Sequence, residues 1–290
     1  MMTTQAFARL VRLPAALTAP GDTLAGAAAS GRTLGPQTAL LPLSSTLIYW
    51  AGMALNDYAD RALDAVERPE RPIPAGEVTP AEALGVAIAL TSAGVGIAAL
   101  AGGRHALAVA LPLAATVWAY DLVLKSTPLG PIAMATTRLL DVLLGAGSVR
   151  PALPAALAVS AHTLGTTTLS RDEVHGSTSA VVGTLAVAGT LCATVAAAAG
   201  PSLRPPNGWL PRAAGAALAT VYLGVVAPAQ LTARRTRAAP DVRRAVGASV
   251  IGTIGLQAAL IVRSGAVGTG LAVAALLPFG IRLSRRISAT

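Results

Sequence analysis

The sequence predicts an all-α fold, a polytopic transmembrane helical bundle of nine to ten spans, and three observations carry that expectation. The 290 residues are 53% hydrophobic and only 12% charged, with a mean hydropathy of +0.63, a balance that points to a bilayer. The apolar residues gather in segments of roughly 18–22 residues, the length that crosses a hydrocarbon core. Ala, Val, Leu and Gly dominate these segments, and small side chains let membrane helices pack closely, as a bundle requires.

The segments fall near 11–30, 36–56, 80–101, 104–123, 129–148, 152–170, 179–200, 210–231, 244–262 and 265–282. Only Arg263-Ser264-Gly265 separates the last two, so nine spans is the alternative count. Arg9 and Arg12 precede the first segment, which is expected to be a retained span and not a cleaved signal. No soluble domain fits between the segments, and residues 1–290 read as a single membrane-embedded domain. With the N-terminus inside, fifteen Lys and Arg face the cytoplasm and six face out, and Arg138 stays within a span. This bias places both termini on the cytoplasmic side of a cell (inner) membrane. The net charge of +9 follows from these flanking residues, so nucleic acid is excluded as a partner. The run at 234–244 reads as a topology determinant with some attraction to anionic lipid. Cys192 is the only cysteine, which excludes an internal disulfide.

Carboxylates are costly in such a chain, yet seven of the thirteen lie between Asp57 and Glu82. Asn56-Asp57-Tyr58-Ala59-Asp60-Arg61-Ala62-Leu63-Asp64 ends the second segment. On a helix, Asp57, Asp60 and Asp64 share one face, and three carboxylates side by side repel unless a cation joins them. Oxygen-only ligands suit Mg²⁺, which keeps coordination sites for water and phosphates. A solvated helix end neutralised by Arg61, Arg68 and Arg71 is the alternative. Either way the face is expected to meet water.

Next comes Glu67-Arg68-Pro69-Glu70-Arg71-Pro72-Ile73-Pro74-Ala75-Gly76, whose prolines stop the helix and stiffen the loop. Its arginines fit an anion clamp, and a rigid connector is the alternative. Thr79, Pro80 and Glu82 supply an N-cap, a first-turn proline and a capping-box acid for the third segment. Three further polar groups are expected at or near the cytoplasmic side. Tyr120-Asp121-Leu122-Val123-Leu124-Lys125 holds the only lysine. Arg138 and Asp141, at i and i+3, are expected to pair inside the fifth segment, as a functional site or a structural ion pair. Ser170-Arg171-Asp172-Glu173-Val174-His175-Gly176 follows the sixth segment. His105 and His162 read as structural or interfacial residues, and His175 as either a loop residue or a site neighbour.

With these residues the chain resembles the UbiA superfamily of intramembrane prenyltransferases. NDYADRALD matches that family's NDxxDxxxD motif, RPIPAG its RPI-x-x-G continuation, and YDLVLK its Tyr-x-x-x-Leu-Lys segment. NDYADRALDAVERPERPIPAGEVTP together with LSRDEVHG looks most like the EboC-like branch of bacteria. The resemblance implies a helical bundle around a central cavity, in which Mg²⁺ holds a polyprenyl diphosphate and the prenyl group passes to a small-molecule acceptor. It implies metal ligation by Asp57, Asp60 and Asp64, joined by Asp172 and Glu173. It also implies diphosphate contacts from Asn56, Arg68, Arg71, Lys125 and Arg138, with Lys125 and Glu173 sharing catalysis with the three aspartates. The second acidic motif departs from the family's DxxxD: Glu173 stands for its first Asp and Ser177 for its last. That departure leaves room for a single metal, or for a relative that binds isoprenoid lipid without turnover.

Overall fold

The computed structural model describes residues 2–13, 18–32, 35, 39–200 and 208–279. Helices account for nearly all the ordered structure of these residues. They are α1 (Thr4–Leu10), α2 (Ala19–Ala29), α3 (Leu40–Glu67), α4 (Pro80–Ala119), α5 (Gly130–Ala146), α6 (Val149–Ser170), α7 (Ala180–Ala199), α8 (Leu210–Thr236), α9 (Ala239–Arg263) and α10 (Val267–Ala274).

The N-terminal segments differ from expectation. In place of one span over 11–30, α1 ends at Leu10, Arg12 takes a positive φ of 48°, and α2 starts at Ala19. Helix α3 runs well past the expected end at 56, because no breaker intervenes before Pro69. At 28 residues it is about 42 Å long, and it carries the whole acidic motif on regular helical backbone. The capping box of Thr79 and Glu82 forms as expected, with both reciprocal hydrogen bonds present.

Helix α4 has 40 residues, and a straight helix of that length would reach about 60 Å. Gly103 reverses it with φ 59° and ψ −144°, a conformation that side-chain-bearing residues avoid. The Trp118 indole N–H then donates to the Thr91 hydroxyl at 3.0 Å, although 27 residues separate the two. The limbs of this hairpin match the two segments expected at 80–101 and 104–123. At its end, Tyr120–Leu124 forms a π-turn, closed by the Lys125 N–H on the Tyr120 carbonyl at 2.9 Å.

Sequence neighbours pack on one another from α2 to α10, and α9 also packs against α2, α6 and α7, closing the ring. Four stretches among the described residues are long and apolar enough to cross a membrane: Pro80–Leu124, Ala180–Ala199, Leu210–Thr236 and Ala239–Arg263. The last is the central helix, with 83% of its apolar window inside the protein. Helix α10, with the helical residues that follow it to Phe279, is the shorter described part of the segment expected over 265–282. Arg204, Arg282, Arg285 and Arg286, counted in the charge bias, lie outside the described residues.

Close backbone contact fixes α2 on α5. A Cβ at Gly26 would fall 1.8 Å from the Val142 carbonyl oxygen, and one at Gly145 would fall 1.9 Å from that of Thr23. Only glycine permits this approach, which brings Asp22 beside Arg138.

Candidate active site

The extension of α3 beyond residue 56 meets the π-turn, the 68–76 loop and the end of α6 at the mouth of one cavity of about 570 Å³. Asn56, Asp60, Asp64, Arg68, Lys125, Arg138 and Glu173 line it. Asp57, Arg71 and Asp172 do not.

The acidic face is not the watery helix end that its sequence suggests. Asp57 is 1% exposed and Asp64 4%, because the 68–76 loop folds back over them. Asp57 Oδ1 accepts from Arg12 at 3.0 Å and from Arg71 at 3.3 Å. Lys125 Nζ pairs with Asp60 at 2.6 Å. Burial pulls the Arg71 guanidinium below its ordinary pKa, and repulsion from Arg12 adds to this while Asp57 opposes it. The chain's own cations therefore occupy the positive side of the site, and no three Asp, Glu, His or Cys side chains converge as a ready metal cage among the described residues.

The π-turn explains how Lys125 reaches Asp60. A π-turn holds one residue more than an α-turn and rotates everything after it. It also buries Asp121, whose Oδ1 accepts from the Asn56 side-chain amide at 3.1 Å. Asn56 accepts in turn from Arg12 at 2.9 Å. Arg12, Asn56 and Asp121 thus form one chain of hydrogen bonds across the cavity mouth.

Two of these residues escaped sequence reasoning. Arg12 looked like a topology charge, and nothing local signals a partner 45 residues away. Asp121 had a signal, being a carboxylate in an apolar segment, but its motif drew attention to Lys125. Tyr49, about two helical turns before the acidic motif, lines the same cavity and has no signal in the sequence that marks it.

The second acidic motif divides. Glu173 is 8% exposed, and its Oε1 has no hydrogen-bond partner. Burial pushes its carboxyl above the ordinary glutamate range, against the pull of Arg68 and Arg243. Asp172 turns away and accepts from the Ser177 hydroxyl at 2.5 Å. Ser177, which stands where the family has its last Asp, thus ties the loop through Asp172, and of the three only Glu173 faces the cavity.

Arg138 does not pair with Asp141. Its Nε meets Asp22 Oδ2 at 2.9 Å and its Nη2 donates to the Thr18 carbonyl at 3.3 Å, because α2 lies against α5. His162 lines the cavity but is fully engaged. Its Nε2 lies 3.1 Å from the Ser249 carbonyl and its Nδ1 2.7 Å from the Tyr222 hydroxyl. A carbonyl only accepts, so Nε2 carries the hydrogen and Nδ1 accepts from Tyr222. Such a histidine is a structural one, as its sequence position suggested.

The orphaned polar atoms have a pattern. Arg12 Nε and Arg71 Nη2 are buried donors without acceptors, and Asp57 Oδ2 and Glu173 Oε1 are buried acceptors without donors. Unmet buried groups are rare because each carries its full desolvation cost. Donors and acceptors left open together suit a ligand that brings both an anion and a cation.

Digeranylgeranylglyceryl phosphate synthases are among the similar proteins. The one from Methanopyrus kandleri is 38% identical over 100 residues, 34% of this chain and 36% of that protein. The one from Methanoculleus marisnigri is 37% identical over 135 residues, 46% and 48%. The matched stretch spans a third to a half of these relatives. A UbiA homologue from Aeropyrum pernix K1 superposes with a TM-score of 0.65 at 21% identity, over 85% of this chain and 97% of that one. A structure from a study of digeranylgeranylglyceryl phosphate synthase in membranes gives 0.61 at 19%, over 90% and 98%. These two likenesses carry the fold alone. The UbiA prenyltransferase family matches residues 16–250, and with its long apolar helices this chain is an integral membrane protein that belongs to that family.

Proposed function

We propose that the protein transfers a prenyl group from a polyprenyl (allylic) diphosphate to an acceptor within the membrane. The observation that carries this reading is the set of orphaned donors and acceptors, with Arg12 and Glu173 on the cavity wall and Asp57 and Arg71 joined to it through Arg12. A diphosphate would take the hydrogens of Arg12 and Arg71, and a divalent cation would take the carboxylate oxygens.

The donor set fits Mg²⁺, a hard cation that binds oxygen and shares its shell with phosphates. Asp57, Asp60, Asp64 and Glu173 would hold it. When bound it would supply Lewis-acid neutralisation of the diphosphate. Phosphate oxygens would share in holding it with these carboxylates, so the site would need no closed cage of protein ligands.

In the reaction the allylic C–O bond breaks and its electron pair leaves with the diphosphate. Arg12, Arg68, Arg71 and Lys125 stabilise that growing charge from fixed positions. The acceptor's nucleophile then bonds to the allylic carbon and gives up its proton to the departed diphosphate or to water at the cavity mouth. Ile48, Met53, Val117, Met134, Val246 and Val250 line the cavity and shield the cationic chain from water. Positive-inside bias would open the mouth to the cytoplasm.

The relatives' names make a prenylated glyceryl phosphate the first acceptor to try. Protein in lipid nanodiscs would be given Mg²⁺, geranylgeranyl diphosphate and either geranylgeranylglyceryl phosphate or a membrane extract, and diphosphate release measured. Release that requires acceptor and stops on chelation is expected. Tight binding of geranylgeranyl diphosphate without release under any acceptor would replace this reading with that of a lipid-binding relative.

A further inference from the structure

The proposed reaction leaves unused a polar cluster where α2, α3, α5 and α9 meet. Asp22 is wholly buried and Asp141 is 6% exposed. Asp22 Oδ1 accepts from the Gln257 amide at 2.7 Å, and its Oδ2 lies 2.9 Å from Arg138 Nε as an ion pair outside hydrogen-bond geometry. Gln257 Nε2 also donates to the Thr18 carbonyl at 2.7 Å. This holds the single guanidinium on Asp22. Asp141 is left with the Ser45 hydroxyl at 2.7 Å on Oδ2 and with no partner on Oδ1.

Two counts then disagree with an ionised Asp141. The first is charge. Two carboxylates and one guanidinium leave a net negative charge in a buried site, and an unpaired buried charge is avoided. The second is hydrogens. Ser45 Oγ lies within bonding distance of two oxygens, Asp141 Oδ2 at 2.7 Å and the Ala19 carbonyl at 3.2 Å, but it owns one hydrogen. If Asp141 is ionised, both oxygens are pure acceptors and one contact has no proton. If Asp141 carries a proton on Oδ2, it donates to Ser45, Ser45 donates to Ala19, and both contacts become hydrogen bonds. The separation of 2.7 Å is ordinary for O–H···O. The unpartnered Oδ1 is then a carbonyl oxygen, which is less costly to leave unmet than half of an anion.

We propose that Asp141 is a proton-binding site and rests in the bundle as the neutral acid. The proton has a consequence for the cavity. Arg138 sits three residues before Asp141 on α5, so an ionised Asp141 would compete with Asp22 for the guanidinium. Neutral Asp141 commits Arg138 to Asp22 and keeps it on the cavity wall. Asp141 is therefore a positioning residue for Arg138, and a proton is its ligand.

Infrared spectroscopy on purified protein labelled with ¹³C at the aspartate carboxyl tests this, with H₂O/D₂O exchange to identify protonated acids. Wild type is expected to show an aspartic acid C=O band at neutral pH. Asp141→Asn should lose that band and melt with wild type, since an amide also donates to Ser45. Asp141→Ala should melt lower. Asp22→Asn should also lose the band, because the freed Arg138 would then draw Asp141 into ionising. Absence of the band in wild type, or its survival in Asp141→Asn, would overturn the proposal. Sodium-dependent melting without the band would assign the site to a metal cation and overturn it equally. Survival of the band in Asp22→Asn would sink the link to Arg138.

Discussion

Asp57 and Asp60 sit one helical turn apart and face opposite fates on substitution. Asp60 is a quarter exposed and holds one cation, Lys125. Asp60→Asn should therefore leave folding intact while removing Mg²⁺-dependent diphosphate binding. Asp57 is buried between Arg12 and Arg71. Its neutralisation strands two guanidiniums, so Asp57→Asn should cost binding and also about 3 kcal/mol of stability. Calorimetric titration with geranylgeranyl diphosphate and Mg²⁺, beside thermal melts, separates the two. Equal melting of both variants would contradict the burial of Asp57. The choice of these aspartates was legible in the sequence, because three carboxylates at i, i+3 and i+7 on an otherwise apolar chain demand a purpose. Their burial was not legible. It depends on a loop closing over the helix and on Arg12 arriving from 45 residues away, and neither leaves a local pattern.

Elements show the same division. Period and length were enough to place both limbs of α4, and the Thr79–Glu82 capping box was readable to the residue. The π-turn was not, since Tyr120–Leu124 has the composition of ordinary helix and the extra residue shows only in the bonding. It nevertheless decides where Lys125 points. Deleting Leu122, which is half exposed and absent from the cavity wall, should restore an α-turn and swing Lys125 by about 100° around the helix. The expected result is a folded protein that has lost the Lys125–Asp60 pair and releases diphosphate at least tenfold more slowly, a loss of about 1.4 kcal/mol in transition-state stabilisation. Unchanged release would mean that Lys125 does not act on the diphosphate. The Arg138–Asp141 pairing failed for the opposite reason. Spacing along α5 was right for a pair, but the glycines at the α2–α5 contact bring Asp22 closer than any i+3 neighbour.

At the scale of the whole molecule, the charge bias predicts an orientation, and the hairpin of α4 makes it testable. Ala75, in the loop beside the acidic face, and His105, at the turn next to Gly103, are both exposed and belong to opposite ends of the first limb. After Cys192→Ala, cysteine at Ala75 should react with an impermeant thiol reagent only from the cytoplasmic side. Cysteine at His105 should react only from the other side. Labelling with the two sides exchanged would reverse the orientation, and labelling of both from one side would mean that the first limb does not cross. The resemblance to a known family supplied the cavity, which no periodicity could have given. The ring of helices agrees with it because α9, as apolar as a lipid-facing span, is enclosed by the others.

That enclosure has a history built into it. Gln257 on α9 bonds Thr18 and Asp22 across 239 and 235 residues of chain. Ribosomes add about 5–20 residues per second, so Asp22 leaves the exit tunnel on the order of ten to fifty seconds before Gln257 exists. Arg138 is synthesised roughly midway and reaches Asp22 first. Until α9 is made, Asp22 lacks the Gln257 amide, and its seam has only the partners that α3 and α5 bring. The central helix is the last keystone to arrive, and a chain stopped before it would leave that seam facing lipid.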